Sequence, residues 1–350
     1  MIQFGLKFTC IFITNILLKK IFFLLSLLAG VQSFAQLQRF RFSQPKMGSA
    51  FTIIFYASDS MQAKLHAVNC YRLVDSLNNI LSDYDPTSEI TRLSQAAGSG
   101  QWVNVSPALL DLLQQAASAW EKSGGAVDVT IGTLSKLWRR ARKEKAFPAE
   151  AEIKNAKDQT GFKTVLLDTA NRRVRLLKKG VQLDFGAIAK GYSAQKVIDY
   201  LRAHKIDQAL ADAGGDIAVS GAPPERKGWS VAVNMPESEE LLPRSVLLAD
   251  KSVATSGDLY QYIEKDRKKY SHIIDPSTGY GVLHRRNVTV IADDGAKADW
   301  LATACSILSI RKAKKLARRE KAALLIAEWK KGKLIFHSFN GFEKYYCNRL

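Results

Sequence analysis

Apolar side chains recur at helical spacing in two long segments, and this spacing predicts amphipathic helices. One segment spans residues 59–82, and the other follows the turn at residues 184–191. A third helix is predicted from its ends, because Ser106-Pro107 supplies an N-cap followed by a proline and Gly124-Gly125 stops the helix. The apolar stripes of the first two helices are Leu73, Leu77, Ile80 and Leu81, and Ala194, Val197, Ile198 and Leu201.

Short β-prone runs between these helices predict strands. Residues 165–167 and 174–177 read as one hairpin, and residues 322–329 and 334–338 as another. The segment 125–132 is also small and β-prone, with Asp128 in its middle, where a buried carboxylate is either a structural acceptor or a ligand contact. No repeat or low-complexity linker interrupts the pattern, so residues 36–350 are predicted to form a single domain. Further strands are predicted at residues 51–56, 209–211, 217–219, 229–233, 245–249 and 288–292.

Two glycine-bearing turns, each with a carboxylate, lie close together between residues 183 and 221. The first contains Asp184 and Lys190 and runs into a predicted helix, whose N-terminal N–H groups can bind a phosphate with Lys190 adding a full charge. The second, Ala213-Gly214-Gly215-Asp216, allows close backbone approach to a ligand, or simply a tight turn between strands. The glycine spacing fits neither the dinucleotide-binding fingerprint nor a Walker loop.

Composition excludes some classes of protein. With 350 residues and 47% hydrophobic content, the chain can bury one large core or two ordinary ones, and disorder is excluded as its main state. The net charge of +18 comes largely from basic runs at residues 136–145, 264–269 and 311–321, which we interpret as solvated faces attracted to anionic lipid or acidic partners. We expect no nucleic-acid partner, since no basic motif is interleaved with aromatic residues. Of the four cysteines, Cys10 lies near the N-terminus, and the other three, Cys70, Cys305 and Cys347, are widely spaced and predict neither a disulfide framework nor a zinc site.

The N-terminus has the order of a secretory signal. Lys7, Lys19 and Lys20 precede an apolar run at residues 21–29, and small residues lead to a cleavage site after Ala35. A membrane anchor is the alternative, but Lys19 and Lys20 interrupt the span that a transmembrane helix needs. We therefore predict a signal peptide over residues 1–35 and a periplasmic or otherwise exported protein.

Three further sites carry candidate chemistry. Tyr84 follows the first helix and either stacks on a planar ligand or covers the core. His272 and Asp275 are three residues apart in the sequence. At this spacing the carboxylate can orient the histidine as a general base, or both residues can have structural roles. Asp299 and Thr303 stand four apart, so on a helix their oxygens share one face and suit Mg²⁺. The alternative for this pair is a carboxylate near a helix N-terminus and a threonine bonded back to its own helix.

Seven motifs, in this order, resemble the ApbE family of FAD:protein FMN transferases over roughly residues 40–310. The resemblance implies an α/β fold of the α+β type, T-fold-like, with largely antiparallel sheets flanked by helices and FAD between the lobes. The motifs are LSDYDPTSEITRL, GGAVDVTIG, LDFGAIAKGY, ALADAGGDIAVSG, SVATSGD, SHIIDPSTGYGV and VTVIADDGAKADWLATA.

The resemblance also implies a role for individual residues. The Ala187 carbonyl, Asp299 and Thr303 would hold Mg²⁺, while His272 and Asp275 would lie at the reacting phosphate, with His272 as the base. An acceptor protein, expected to be a membrane-associated redox subunit with a Thr or Ser flavinylation motif, would take FMN from FAD and release AMP. The residues expected to contact FAD are Met47, Tyr84, Ala126, Val127, Asp128, Asp184, Lys190 and His272.

Two other functions are compatible with the same residues. An Mg²⁺-dependent hydrolase would pass FMN to water, and an exported flavin-binding protein would bind FAD without turnover. Many family members are lipoproteins, whereas this chain has no cysteine at the predicted cleavage site, so proximity to the inner membrane would need another cause. Residues 311–350 lie outside the strong resemblance, and no chemistry is assigned to them.

Overall fold

The computed structural model describes residues 37–232, 245–257, 262–330 and 333–347. Residues Arg39–Leu350 form one compact unit. The predicted signal peptide, Asp258 of the SVATSGD motif and the turn at residues 331–332 lie outside the described residues. Within the described ranges, every helix is too short or too polar to cross a membrane.

Eight α-helices and fifteen strands are found in this described part of the chain. The helices are α1 Ser60–Leu81, α2 Glu89–Gln95, α3 Pro107–Ser123, α4 Gly132–Glu144, α5 Glu150–Asp158, α6 Ala189–Ala203, α7 Gly295–Ile307 and α8 Ile310–Arg319. The strands are β1 Gln38–Lys46, β2 Ser49–Ala57, β3 Val103–Asn104, β4 Val165–Asp168, β5 Arg173–Leu176, β6 Ala209–Ala213, β7 Ile217–Ser220, β8 Trp229–Ala232, β9 Ser245–Leu248, β10 Ser252–Gly257, β11 Tyr262–Lys265, β12 Lys268–Ser271, β13 Arg286–Ala292, β14 Ala323–Lys330 and β15 Lys333–Phe339.

One large sheet organises the fold, with the strand order β1-β2-β6-β7-β10-β13-β14-β15. All neighbours from β2 to β15 pair antiparallel, which confirms the predicted antiparallel α+β architecture. Smaller sheets are β3-β5-β4 and the hairpins β8-β9 and β11-β12. The glycine turn at residues 214–215 joins β6 to β7, so it places Asp216 at one end of the sheet.

Helices cover one face of this sheet. On β2, Phe51, Ile53 and Phe55 alternate inward and are fully buried beneath α1 and α6. Further along the sheet, α3 and α7 pack over β13 and β14 in the largest apolar cluster. Residues of the β8-β9 hairpin pack on the opposite face. The helical layer is therefore the side on which the glycine-rich entry to α6 meets α7.

Capping side chains fix the helix ends where the sequence predicts them. Ser106 Oγ accepts a hydrogen bond from the Leu109 N–H at 3.2 Å, and Pro107 begins α3. Gly124 ends α3 in the left-handed region with φ of 65°. The β-prone segment 125–132 differs from the expectation: it forms turns rather than a strand, because the Asp128 carboxylate binds its own neighbours.

Candidate active site

A cavity of about 340 Å³ opens on the helical side of the sheet, within the usual size range of ligand pockets. Its walls come from segments that are far apart in the sequence, including the turn after α1, the entry to α6, the end of β10 and the loop after β12. Of the residues predicted to form the site, ten line the cavity: Tyr84, Ala126, Val127, Asp128, Asp184, Ala187, Lys190, His272, Asp299 and Thr303.

Two glycines position the cavity floor by letting α6 and α7 cross closely. A Cβ on Gly191 would lie 2.1 Å from the Gly295 carbonyl oxygen, and a Cβ on Gly295 would lie 2.3 Å from the Gly191 carbonyl oxygen. This approach brings Asp299 to the first turn of α6, where its Oδ2 accepts a hydrogen bond from the Gly191 N–H at 3.0 Å. Any larger side chain at either glycine would separate the helices and move Asp299 away from α6.

Lys190, Asp216 and Asp299 form the buried charge cluster of the cavity. Lys190 Nζ lies 2.5 Å from Asp216 Oδ2, while Asp216 and Asp299 are only 4% and 6% exposed. Burial, and then the charge of Asp216, raise the pKa of Asp299 well above its usual range. Burial likewise raises the pKa of Asp216, although Lys190 opposes this effect. Burial alone would lower the pKa of Lys190, but Asp216 and Asp299 outweigh it and raise that pKa.

The donor atoms around this cluster suit a hard divalent cation. Two carboxylates share one ammonium, so a bound cation would relieve the excess negative charge. Thr303 lies one helical turn after Asp299 on the same side of α7, and it also lines the cavity. Among the described residues, the Ala187 carbonyl accepts no backbone hydrogen bond. No group of three or more His, Cys, Asp or Glu side chains in the described part of the chain is placed to hold a metal ion, and this set of one carboxylate, one hydroxyl and one carbonyl is of a different kind.

Asp184 and Asp128 shape the loops of the cavity. Asp184 Oδ1 accepts a hydrogen bond from the Gly186 N–H at 2.7 Å, which holds the turn leading to Ala187. Asp128 Oδ1 accepts from the N–H and the hydroxyl of Thr130, and Oδ2 accepts from the Phe162 N–H at 3.1 Å. Both oxygens of the Asp128 carboxylate therefore serve as structural hydrogen-bond acceptors, which is one of the two roles that the sequence left open. The residue also lines the cavity.

His272 lines the cavity but Asp275 does not. Asp275 Oδ1 accepts hydrogen bonds from the Ser277 N–H at 2.8 Å and the Ser277 hydroxyl at 2.7 Å. The Asp275 N–H donates to the Tyr280 carbonyl, and its own carbonyl accepts from the Gly279 N–H. These contacts fix the turn that follows His272, so the structure gives the Asp275 carboxylate a turn-forming role instead of a place at the cavity.

Met47 is the other predicted site residue that does not line the cavity. It occupies the turn between β1 and β2 with a φ of 51° and packs, partly buried, against the two apolar clusters beneath the helices. A left-handed non-glycine residue in a two-residue hairpin turn is ordinary turn geometry.

Tyr84, Arg139 and Arg142 form the rim cluster of the cavity. The Arg139 guanidinium carbon lies 3.9 Å from the centroid of the Tyr84 ring, and Arg139 Nη2 lies 2.9 Å from Asp83 Oδ2. Tyr84 is 73% exposed. Arg142 Nη1 is buried and has no hydrogen-bond partner among the described residues. Burial, and then the charge of Arg139, lower the pKa of Arg142. The buried Nη1 is a donor that an acceptor on a ligand could satisfy.

Several residues of the cavity escape the predictions made from sequence. Asp216 lies in the second predicted glycine turn, and the sequence predicts no role for it in the site. The run at residues 136–145 was read as a solvated face, which is wrong for Arg139 and Arg142, because both line the cavity. A signal was available, since Arg142 follows the large apolar residue Trp138 by one helical turn and must share its side of the helix. Thr255 and Ser256 of β10 also line the cavity, and nothing in their short motif assigns them to it.

Comparisons with known proteins agree with this geometry. The model of the ApbE family matches residues 47–326. A protein of Treponema pallidum named FAD:protein FMN transferase is 35% identical over 273 residues, which cover 73% of this chain and 75% of that protein. A Vibrio cholerae protein of the same name is 28% identical over 92% of this chain and 94% of its own.

Solved structures extend the similarity to the fold. The apo form of the Pseudomonas stutzeri flavinyl transferase ApbE superposes with a TM-score of 0.79 at 27% identity, over 90% of this chain and 99% of that one. The ApbE protein of Thermotoga maritima gives a TM-score of 0.79 at 29% identity, over 89% of this chain and 100% of that one.

Proposed function

The chain belongs to the ApbE family, and we propose that, as an FAD:protein FMN transferase, it moves FMN from FAD to a Thr or Ser hydroxyl of an acceptor protein. The acceptor oxygen attacks the FMN phosphorus, the bond from that phosphorus to the bridging diphosphate oxygen breaks, and AMP leaves with that oxygen. The product is a phosphoester between FMN and the acceptor.

A single observation carries this proposal beyond family membership. Lys190 and Asp299 meet at the N-terminal turn of α6 in a cavity of suitable size, and Asp299 is held there by the Gly191 N–H. An electrophilic diphosphate must have its negative charge neutralised before a hydroxyl can attack it. The Lys190 ammonium offers such neutralisation inside the cavity, beside the Asp299 carboxylate that the Gly191 N–H holds in place.

Mg²⁺ is the metal that the donor atoms favour, held by the Ala187 carbonyl, Asp299 and Thr303. When bound, it would withdraw electron density from the diphosphate oxygens. Asp216 keeps Lys190 in place through its 2.5 Å contact, so the ammonium stays oriented before FAD arrives. The remaining predicted contacts, Ala126, Val127 and Asp184, form the loop surfaces against which FAD would rest.

His272 is the side chain proposed to receive the proton of the acceptor hydroxyl. His272 lines the cavity beside Ile273 and Ile274, and a neutral imidazole can accept a proton as a general base. Replacing His272 with Ala should leave FAD affinity nearly unchanged and slow transfer by about 10²–10⁴-fold. Measuring both the FAD affinity by titration and the rate of AMP release in His272→Ala checks this role. His204→Ala is the control, because His204 is exposed and distant in sequence from His272. AMP release at the wild-type rate in His272→Ala would contradict it.

The place of action follows from the predicted signal peptide. We propose an exported or periplasmic enzyme whose acceptor is a membrane-associated redox subunit with a Thr or Ser motif. Membrane separation followed by assay of each fraction would test this location.

Mass spectrometry of an acceptor fragment, incubated with the chain, FAD and Mg²⁺, tests the proposed reaction. The expected result is a mass gain of FMN on the acceptor hydroxyl that disappears when the metal is chelated. Release of free FMN and AMP with none of the candidate acceptor fragments modified would identify the hydrolase instead. Intact FAD throughout would identify a flavin-binding protein.

A further inference from the structure

Helix α8 carries a basic face that plays no part in the cavity. Ala313, Leu316 and Ala317 are buried against the sheet and α7. The six basic side chains of the helix all fall within about 160° of arc on its other side, at 3.6 residues per turn. They are exposed, and they are Arg311, Lys312, Lys314, Lys315, Arg318 and Arg319. Lys321 continues the basic face beyond the helix.

The charges on this basic face are almost uncompensated. Among the described residues, only Arg319 of the six makes an ion pair, with the buried Glu320, which also binds Lys122. Helix α4, the other strongly basic helix, differs, because Arg139 pairs with Asp83 and Arg140 pairs with Glu152. Like charges three and four residues apart destabilise a helix, so α8 retains an electrostatic cost that α4 relieves within the chain.

The basic face is preformed and lies next to exposed apolar side chains. Lys314 Nζ lies 5.1 Å from the centroid of the Phe339 ring on β15, the last strand in the order of the large sheet. Ile335 points to the same face of the sheet as Phe339, since four residues separate them, and it is 38% exposed. Phe336, on the opposite face of the same strand, is 43% exposed. The cations of α8 therefore lie beside Phe339, on the face of β15 that also carries the partly exposed Ile335.

We propose that the basic face of α8, with the neighbouring part of β15, binds the surface of an anionic phospholipid membrane. Positive side chains in a regular row complement a layer of phosphate head groups, and apolar tips beside them can enter the boundary with the acyl chains. A peptide partner would instead need a groove or paired acids in matching positions. Next to the cations, β15 presents the partly exposed apolar side chain of Ile335, which the acyl boundary of a membrane accepts, so a lipid surface fits this combination better than an acidic protein does.

Binding to vesicles tests this surface. The fragment of residues 36–350 contains the whole compact unit, so it removes the apolar N-terminus without cutting the fold. The fraction of this protein that sediments with mixed phosphatidylglycerol–phosphatidylcholine vesicles is compared with the fraction that sediments with vesicles of phosphatidylcholine alone, both at about 0.15 M salt. The patch variant replaces Arg311, Lys314, Lys315 and Arg318 with Gln. The control variant, which changes the net charge equally, replaces Lys64, Lys154, Lys179 and Lys227 with Gln, all four being exposed and scattered.

The expected result is binding to the anionic vesicles alone, weakened at least about tenfold in the patch variant and much less in the control variant. Ile335→Thr should weaken the binding by a smaller factor, and FMN transfer in solution should be unchanged in every variant. Equal losses in patch and control variants would overturn the proposal, because net charge alone would then explain the attraction. Absence of vesicle binding, or binding of polyglutamate in preference to vesicles, would also overturn it, the latter in favour of an acidic protein partner.

Discussion

The buried charge cluster and the rim cluster of the cavity differ in whether the chain itself pairs their charged groups. Asp216 and Asp299 are almost fully buried, and backbone N–H groups and Lys190 hold them in one arrangement. Tyr84 is largely exposed and Arg139 is partly exposed, whereas Arg142 Nη1 is buried without a hydrogen-bond partner among the described residues. The buried charge cluster thus pairs its groups within the chain at a cost to the fold, whereas the rim cluster leaves one buried donor that a ligand can satisfy.

The largest effect is expected in the buried charge cluster. Asp299→Asn should lower FMN transfer by about 10³-fold or more, because a ligand of the proposed metal is lost. The same change should raise the stability of the metal-free protein at neutral pH by about 1 kcal/mol or more, since it removes a carboxylate whose pKa burial and Asp216 raise. Transfer assays and thermal unfolding with and without Mg²⁺ measure both effects.

The sign of this stability gain depends on pH. A carboxyl group whose pKa is raised in the folded state favours folding below its unfolded pKa, and this advantage is lost as the pH rises through the folded pKa. The advantage of Asp299→Asn over wild type should therefore grow as the pH rises from acid to neutral. Asp293→Asn is the control, because Asp293 is exposed and pairs with Lys297. A wild-type protein that is more stable than Asp299→Asn without metal at neutral pH would refute the electrostatic account of the cluster.

A second large effect separates two ion pairs on one helix whose lysine side chains are both 35% exposed but whose carboxylate side chains differ in burial, that of Asp216 being 6% and that of Asp111 42% exposed. Lys190→Met removes the ammonium shared by two buried carboxylates and should lower the free energy of unfolding by about 3–5 kcal/mol. Lys196→Met on the same helix breaks a pair with Asp111 that is partly solvated, and it should cost about 1 kcal/mol or less. Denaturant unfolding measures both losses. Equal losses would mean that burial does not distinguish the two pairs.

An intermediate effect is expected for Arg142 in the rim cluster. Arg142→Met removes a buried nitrogen without a partner, so stability should change little, while FAD affinity should fall by roughly 10–100-fold if the ligand supplies the missing acceptor. Flavin fluorescence titration measures the affinity. Arg140→Met is the matched control, since Arg140 lies on the same helix, pairs with Glu152 and does not line the cavity. An unchanged affinity in Arg142→Met would exclude this arginine from the FAD site.

The smallest effect is expected at the exposed ring of Tyr84. Tyr84→Ala should weaken FAD binding by about 3–10-fold through the loss of stacking, with no measurable change in stability. Phe336→Ala removes another exposed ring away from the cavity and should not affect FAD binding. If Tyr84→Ala instead destabilises the protein as much as a core substitution does, the tyrosine supports Arg139 and the fold more than it supports the ligand.

Local patterns predicted most elements because each depends on neighbouring residues. The caps of α3, the helical stripe of α6 and the glycine turn before Asp216 depend on spacing alone, and they lie where the sequence places them. The segment around Asp128 was misjudged as β-prone because β propensity ignores a carboxylate that can bind nearby N–H groups. The spacing of His272 and Asp275 left a structural role open for both, and only the family resemblance placed Asp275 at the reacting phosphate. In the structure the Asp275 carboxylate binds the Ser277 N–H and hydroxyl in the turn.

By itself the sequence determined three of the eight helices and ten of the fifteen strands found in the described residues, because periodicity and caps depend on the local order of residues. Its ordered motifs determined the family, and through that resemblance the antiparallel arrangement and most of the predicted residues around the cavity. Only the tertiary structure decided that Asp299 meets α6 through the Gly191–Gly295 contact, that Lys190 pairs with Asp216, and that two arginines of a basic run face the cavity. Those relations join residues up to 108 positions apart, and close packing and burial, which have no local signature, select them.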